Sequence, residues 1–300
     1  MVKRAVVTAG TGGIGFETGK GLAERGFALT VVGRNAERGA RAVERIAAVA
    51  GGAPPTFVPA DLAALDEVRA LAARIAADGP LTILVNNVGA MFANRQQTVD
   101  GIEATYAVNH LSPYLLTELL LDQLRAGSPS RIVNVTSGAI RVAKRTFGAV
   151  EPPGGYYGFH WYGRAKLANL AYTLDLAERL GDTGIGVFAA DPGGAATDMT
   201  NGTMRSPKIV SPGLRALWPL VRRTFERATA GPASTAARSS IVAATDPTLD
   251  GQTGMLIGPQ GRPVPAPRAS TDPSTVRDVI QLSRQLASLT GGVDPDDAGG

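Results

Sequence analysis

The chain has 300 residues, of which 44% are hydrophobic and 19% charged, with a formal net charge of +4. That length and apolar content suffice for one large buried core, and the basic residues are dispersed among acidic ones, as in "AERGARAVERI", which speaks for solvated helix faces and against a nucleic-acid-binding stripe. The lack of cysteine excludes disulfides, thiolate catalysis and thiolate metal sites, and with only His110 and His160 no metal site is expected.

The N-terminal "MVKRAVV" runs straight into an apolar strand without a signal-peptide core. No stretch approaches the ~18 apolar residues of a membrane span, so the expectation is a cytoplasmic protein with no stable membrane anchor. Apolar runs and helical periodicity predict strand 3–9, helix 14–25, strand 28–33, helix 36–49, strand 56–60, helix 64–77 and strand 81–88. This alternation predicts an α/β fold, a doubly wound parallel sheet of about seven strands with helices on both faces. The strands "AVVTA", "LTVVG" and "LTILVNN" are continuously apolar, as strands covered on both sides should be. The pattern continues with a long helix around 100–125, strand 131–136, helix 160–180, strand 185–190 and a closing "GMLIG" at 254–258. Two stretches break it. Residues 141–160 are rich in Gly, Pro and aromatics, and 259–273 read as an extended connection to a final helix near 274–289, so that 259–300 form a loop and C-terminal helix. No repeat or sharp boundary appears, which predicts a single domain over 1–300. Within it, 204–230 is expected to cover a substrate, with Leu214, Leu217, Leu220, Val221 and Phe225 as a buried stripe and its arginines on a solvated face, recognition of an acidic group or a membrane surface being the alternative for those arginines.

In a doubly wound sheet ligands bind at the carboxyl ends of the strands, so the polar residues there carry the functional reading. After the first strand comes "TAGTGGIG", residues 8–15, where backbone amides and a helix N-terminus would meet a pyrophosphate. The usual spacing places glycines at 9, 13 and 15. Here Gly13 and Gly15 remain while position 9 is Ala9, which permits the turn if its φ is negative. From these residues alone a plain strand-to-helix bend is an equal reading. After the second strand, "VVGRNAER" puts Gly33 and then Arg34 where an NAD-binding chain would carry an acidic residue. A guanidinium grips a 2′-phosphate with two charge-assisted hydrogen bonds, which points to NADP; a solvated loop arginine is the alternative. Tyr162 and Lys166 stand four apart at a helix start, on one face, so the ammonium could stabilise a phenolate. Ser137 ends a buried strand, "RIVNVTS", at the ligand end of the sheet, where it could donate to a carbonyl oxygen.

These residues resemble the short-chain dehydrogenase/reductases, of the extended-loop kind similar to retinol dehydrogenases and their bacterial relatives, over roughly residues 3–258. The resemblance rests on "TAGTGGIG", Asp61 in "ADLA", "NNVG" at 86–89, "VNHLSPYLLT" at 108–117, "VNVTS" at 133–137, "YGRAK" at 162–166 and "DPGGAAT" at 191–197. It implies a Rossmann-type sheet and a catalytic tetrad of Asn109, Ser137, Tyr162 and Lys166. Asn109 would hold a water relaying protons towards Lys166, Ser137 would orient the carbonyl, and Tyr162 would give up its proton. The implied NADP (NADPH) contacts are Thr11, Gly13, Ile14 and Gly15 in the turn, Arg34 and Asn35 after strand two, Asp61 and Leu62 by the adenine, Asn87 and Gly89 along the cofactor, Tyr162 and Lys166 at the nicotinamide ribose, and Pro192, Gly193 and Thr197 at the nicotinamide. The implied activity is reduction of a ketone or aldehyde small-molecule substrate, or oxidation of the alcohol, with a homodimer or homotetramer formed through the helices holding Asn109 and Tyr162. No nucleic-acid partner is implied. A catalytically silent NADP-binding sensor or scaffold, or an epimerase-like enzyme using transient oxidation, are the alternatives. The long segment between Ser137 and Tyr162 concentrates Phe147, Tyr156, Tyr157, Phe159 and Trp161, which either wall an apolar pocket or pack a loop onto the core.

Overall fold

The structure, a computed structural model, describes residues 2–151, 154–196 and 206–288. Its first half alternates as the apolar pattern dictates: β1 Arg4–Val7, α1 Gly13–Glu24, β2 Ala28–Gly33, α2 Ala36–Ala47, β3 Thr56–Pro59, α3 Leu65–Ala77 and β4 Ile83–Asn86. Then follow α4 Ala104–Tyr106, a π turn Ala107–Leu111, α5 Ser112–Leu119, α6 Leu121–Ala126, β5 Ser130–Val135, α7 Gly158–Arg179, β6 Ile185–Ala190, β7 Met255–Ile257 and β8 Pro263–Val264. The sheet order is β3-β2-β1-β4-β5-β6-β7-β8. Every pairing is parallel except β7 with β8. The order in which strands are added to the sheet therefore switches sides between β1 and β4, the crevice where doubly wound sheets bind ligands.

Both faces are covered, which is why the strands are mostly apolar. On one face Leu22 of α1, Ile46 of α2 and Ala243 of the helix Arg238–Thr245 pack on Val7, Val31, Val85 and Phe188. On the other, Leu71 and Ile75 of α3, Leu115 of α5 and Leu167 and Leu170 of α7 pack on Val6, Leu84, Ile132 and Val187. Each such side chain taken fully from water contributes roughly 1.5–3 kcal/mol, so the two layers hold the crevice rigid between them.

Three departures from the sequence reading have local causes. The helix read over 100–125 is broken by the π turn, because Pro113 has no N–H to give the carbonyl of Asn109 four residues earlier. Residues 259–273 are not all loop: Pro263–Val264 pair antiparallel with β7 as an eighth strand, and Arg268–Thr271 form a short helix. A proline fits there because β8 is the sheet edge, where no ladder N–H is missed. Among the described residues the crossover from β6 to β7 holds four α-helices, Pro212–Ala216, Trp218–Ala228, Ala233–Ala236 and Arg238–Thr245. The expected buried leucine stripe in this crossover is not formed. Leu214, Leu217 and Leu220 are 39%, 56% and 66% exposed, and it is Trp218 and the half-buried Phe225 that face inward; the side chain of Val221 lies outside the described set.

The face expected to pair with a second copy carries a cover from the same chain. The helix Pro273–Ser288 lies against α7 and the π turn, burying Val279, Leu282 and Leu286. Its Ser283 Oγ sits 2.6 Å from Nε2 of the buried His110, and Arg69 of α3 donates to its Ala287 carbonyl at 2.6 Å.

Candidate active site

At the β1/β4 crevice lies a cavity of about 490 Å³. Thr8, at the end of β1, ties its floor together: its hydroxyl accepts from Asn87 N at 3.0 Å and Val88 N at 3.2 Å. Asn87 Nδ2 returns to the carbonyls of Thr8 and Ala9 at 3.1 and 3.4 Å. The turn that follows corrects the expectation for Ala9, whose φ is +49°, in the left-handed region, and not negative. Gly13 follows at φ +53°. At Gly15 any side chain would collide with the floor, since a Cβ would stand 2.3 Å from Asn87 Nδ2 and 2.4 Å from Ala9 O. The N-terminus of α1 has no side-chain cap. Its first amides, at Gly13, Ile14 and Gly15, open on the cavity beside Thr11 of the turn and are a site for an anion.

One end of the cavity is lined by Gly33, Arg34, Asn35, Arg38, Asp61 and Leu62. Arg34 is 74% exposed and stands 4.0 Å from Asp61 Oδ1, a loose pair that leaves the guanidinium able to turn. The side chain of Asn35 is used locally, capping α2 by accepting from Arg38 N at 2.8 Å. Arg38 escaped the site assignment from sequence. Its Nη2 lies 2.9 Å from where a Cβ on Gly12 would be, so the two guanidiniums, Arg34 just before the α2 N-cap and Arg38 in its first turn, frame the turn and the end of β2. A second arginine in "GRNAER", just after the second strand, was the available signal.

At the other end α7 begins, and its first turns carry Tyr162 and Lys166 into the cavity. Lys166 Nζ donates to the carbonyls of Val88 at 2.8 Å and Val135 at 2.9 Å. Burial lowers it to about 7. Burial raises Tyr162 to about 12, against a hydrogen bond from Ser137 and with Asp191 adding to the rise. Ser137 Oγ also accepts from Ala139 N at 3.2 Å. The Asn109 side chain makes three hydrogen bonds, accepting from Ala90 N at 3.0 Å and donating to the carbonyls of Ala90 and Thr105 at 2.7 Å each. These groups converge on Gly89, where a Cβ would lie 3.8 Å from Asn109 Oδ1, 3.8 Å from Tyr162 Oη and 3.9 Å from Lys166 Nζ. Pro192 and Gly193 close this end, with Gly193 N donating to Asp191 at 2.9 Å. Thr197 lies outside the described residues.

Of the five aromatics between Ser137 and Tyr162, only Phe159 lines the cavity. Phe147 is buried beneath the guanidinium of Arg164, whose other side faces Tyr106. Tyr156 donates to Phe92 O at 3.2 Å and stacks on Trp161. Arg164, between the two active-site residues in sequence but pointing away from them, donates to the carbonyls of Thr146, Ala149 and Val150 and so pins the long segment to α7. Phe159 meets Phe225 at 4.8 Å between ring centroids, and with Met91, Ile209, Val210 and Trp218 makes an apolar wall beside Tyr162.

The family model described as short chain dehydrogenase matches residues 3–207. The chain belongs to the short-chain dehydrogenases. It is 37% identical to retinol dehydrogenase 12 of Mus musculus over 199 residues, 66% of this chain and 63% of that protein, so the match spans under two thirds of that relative's length. It is 32% identical to dehydrogenase/reductase SDR family member 13 of Bos taurus over 297 residues, 98% of this chain and 75% of that one. Among solved structures, the Pseudomonas aeruginosa RhlG/NADP active-site complex superposes with a TM-score of 0.65 at 26% identity, covering 86% of this chain and 95% of its own. Among the described residues of this short-chain dehydrogenase no helix is long and apolar enough to cross a membrane.

Proposed function

We propose that the protein is an NADPH-dependent carbonyl reductase, a cytoplasmic enzyme reducing a ketone or aldehyde and, in reverse, oxidising the alcohol. The observation that carries this reading is the convergence of Tyr162, Lys166 and Asn109 on Gly89, with Ser137 hydrogen-bonded to Tyr162, at one end of a cavity whose other end holds two arginines. The residues present suit a dinucleotide: uncapped amides for a pyrophosphate, a position at Gly15 where only hydrogen fits, and Arg34 and Arg38 for a 2′-phosphate. The Pseudomonas aeruginosa neighbour holds NADP on a related fold, which supports the same choice. A bound NADPH would supply the hydride.

The chain's own groups supply binding and the proton. With its phenol pushed up to about 12, Tyr162 is protonated at neutral pH and serves as donor to a carbonyl oxygen lodged between it and the Ser137 hydroxyl. Lys166, lowered to about 7, is fixed by the Val88 and Val135 carbonyls, and its ammonium form eases the phenolate left after proton transfer. The Asn109 side chain positions residues 89–90, spending both Nδ2 hydrogens and one Oδ1 lone pair. Pro113 offers no N–H to its main-chain carbonyl four residues earlier, and that carbonyl is the acceptor we assign to the proton relay. Absorbance of NADPH followed across aldehydes and bulky ketones tests the reading. With the best substrate, Tyr162→Phe should cut turnover by roughly 10²–10⁴ while NADPH fluorescence titration stays unchanged. Near-normal turnover in that variant would remove Tyr162 as the acid.

A further inference from the structure

The crossover residues 206–230 carry Lys208, Arg215, Arg222, Arg223 and Arg227 against Glu226 alone, so this one stretch accounts for the whole chain's formal +4. It also carries three of the large exposed apolar side chains of the described residues, Leu214, Leu217 and Leu220. In the helix Trp218–Ala228 the two faces differ in kind. Trp218 and Phe225, seven apart, face the apolar wall of the cavity. At 100° per residue Leu220, Arg223 and Arg227 fall within about 60° of one another on the opposite side, towards solvent. Some of the cations have structural work: Arg215 donates to the carbonyls of Lys208 and Val210 at 3.1 and 3.0 Å, and Arg222 pairs with Glu226 at 3.2 Å. Thr229, just past the helix, lines the cavity itself.

We propose that this crossover is a membrane-docking face, which seats Leu214, Leu217 and Leu220 in the headgroup region of an anionic bilayer and opens the cavity beside Phe159 and Phe225 to apolar substrate from the lipid. Exposed leucines on two adjoining helices, with arginines beside Leu220, suit an interface plane, where long cationic side chains reach the headgroups while the leucines enter the acyl boundary. The opposite sign of an anionic leaflet complements the local charge. A second copy of the chain does not, because an isologous contact would bring two such cationic faces together. The helix lies on the membrane and does not span it. Delivery of substrate rests on the reductase reading; docking does not.

The test is flotation of the full chain with vesicles of phosphatidylcholine alone and of phosphatidylcholine with phosphatidylserine, which needs no turnover. Binding to the anionic vesicles is expected, falling at least about tenfold in Leu217→Ser/Leu220→Ser and about tenfold or more in Arg223→Gln/Arg227→Gln, since each cation near such a surface contributes a factor of about five. All four side chains are exposed, so circular dichroism and NADPH titration should match the unaltered chain. Failure to float with either vesicle overturns the proposal. So does binding that follows the arginines and ignores the leucines, which would assign the face to a soluble polyanion or an acidic protein.

Discussion

Replacing Arg34 with Leu should weaken NADPH binding and leave NADH binding nearly unchanged. In the free protein Arg34 makes one ion pair, with Asp61 at 4.0 Å, and both side chains are largely open to water, at 74% and 42%. Such a pair is worth about 0–1 kcal/mol, so its loss does not threaten the fold. Against a 2′-phosphate the same guanidinium makes charge-assisted bonds of about 1.5–3 kcal/mol, and its exposure argues for the lower half of that range. The expected penalty is therefore about 1.5–2 kcal/mol, roughly ten- to thirtyfold in Kd. Arg38 sets the test of attribution. Arg38→Leu alone should cost less, and the double variant more than either, because both cations line the same end of the cavity. An acidic replacement to favour NADH belongs at 34 and not at 33, since a Cβ on Gly33 would stand 2.8 Å from Thr11 Cγ2. Fluorescence titration with both nucleotides reads the result. An NADPH constant unmoved in the double variant would refute a 2′-phosphate at this end of the cavity.

Lys166→Ala should weaken NADPH binding and turnover together, in contrast to Tyr162→Phe, because Lys166 both fixes the site through Val88 and Val135 and faces the phenol; parallel titration and kinetics separate the two. His110 is held neutral by burial, lowered from 6.5 to about 3, so the unfolded chain takes up a proton that the folded one refuses. Its contribution is intact above pH 6.5 and declines by about 1.4 kcal/mol per unit as pH falls towards 3, about 2 kcal/mol by pH 5, and urea midpoints should show His110→Gln with a flatter acid limb. Leu282→Asp should lift the helix Pro273–Ser288 from α7 and the π turn and move sedimentation to a larger species; an unchanged species would mean that uncovering this face does not create a pairing surface.

The strands were legible because a sheet covered on both faces demands unbroken apolar runs, and Val6, Val31, Leu84 and Val133 meet that demand directly in sequence. Tyr162 and Lys166 were legible as a pair for a similar reason: a spacing of four is enough to bring two side chains to one helix face. Ser137 and the "NNVG" residues follow from the rule that ligands meet strand ends. Tertiary balance in the crossover was not legible. Leu214, Leu217 and Leu220 satisfy a helical apolar stripe as well as Trp218 and Phe225 do, and only packing against Phe159, Met91 and Ile209 decides which set turns inward. The aromatics before Tyr162 posed the same difficulty, resolved by Arg164, whose three backbone acceptors lie 14 to 18 residues away in the loop it pins.

The glycine turn shows most directly what sequence spacing leaves out. An alanine at position 9 reads as a reason to expect negative φ, because the left-handed region costs a Cβ-bearing residue about 1–2 kcal/mol. The chain accepts that cost. Gly10 N bonds Val32 O at 3.0 Å on one side, Asn87 Nδ2 reaches the carbonyls of Thr8 and Ala9 on the other, and α1 begins at Gly13 with Gly15 pressed against Ala9 O. These contacts fix the backbone before the side chain at 9 has any say. The requirement at this corner is thus a path for the main chain that leaves the α1 amides facing the cavity. Hydrogen is indispensable at Gly15, where the backbone closes in, while at position 9 a methyl group is strained but has room.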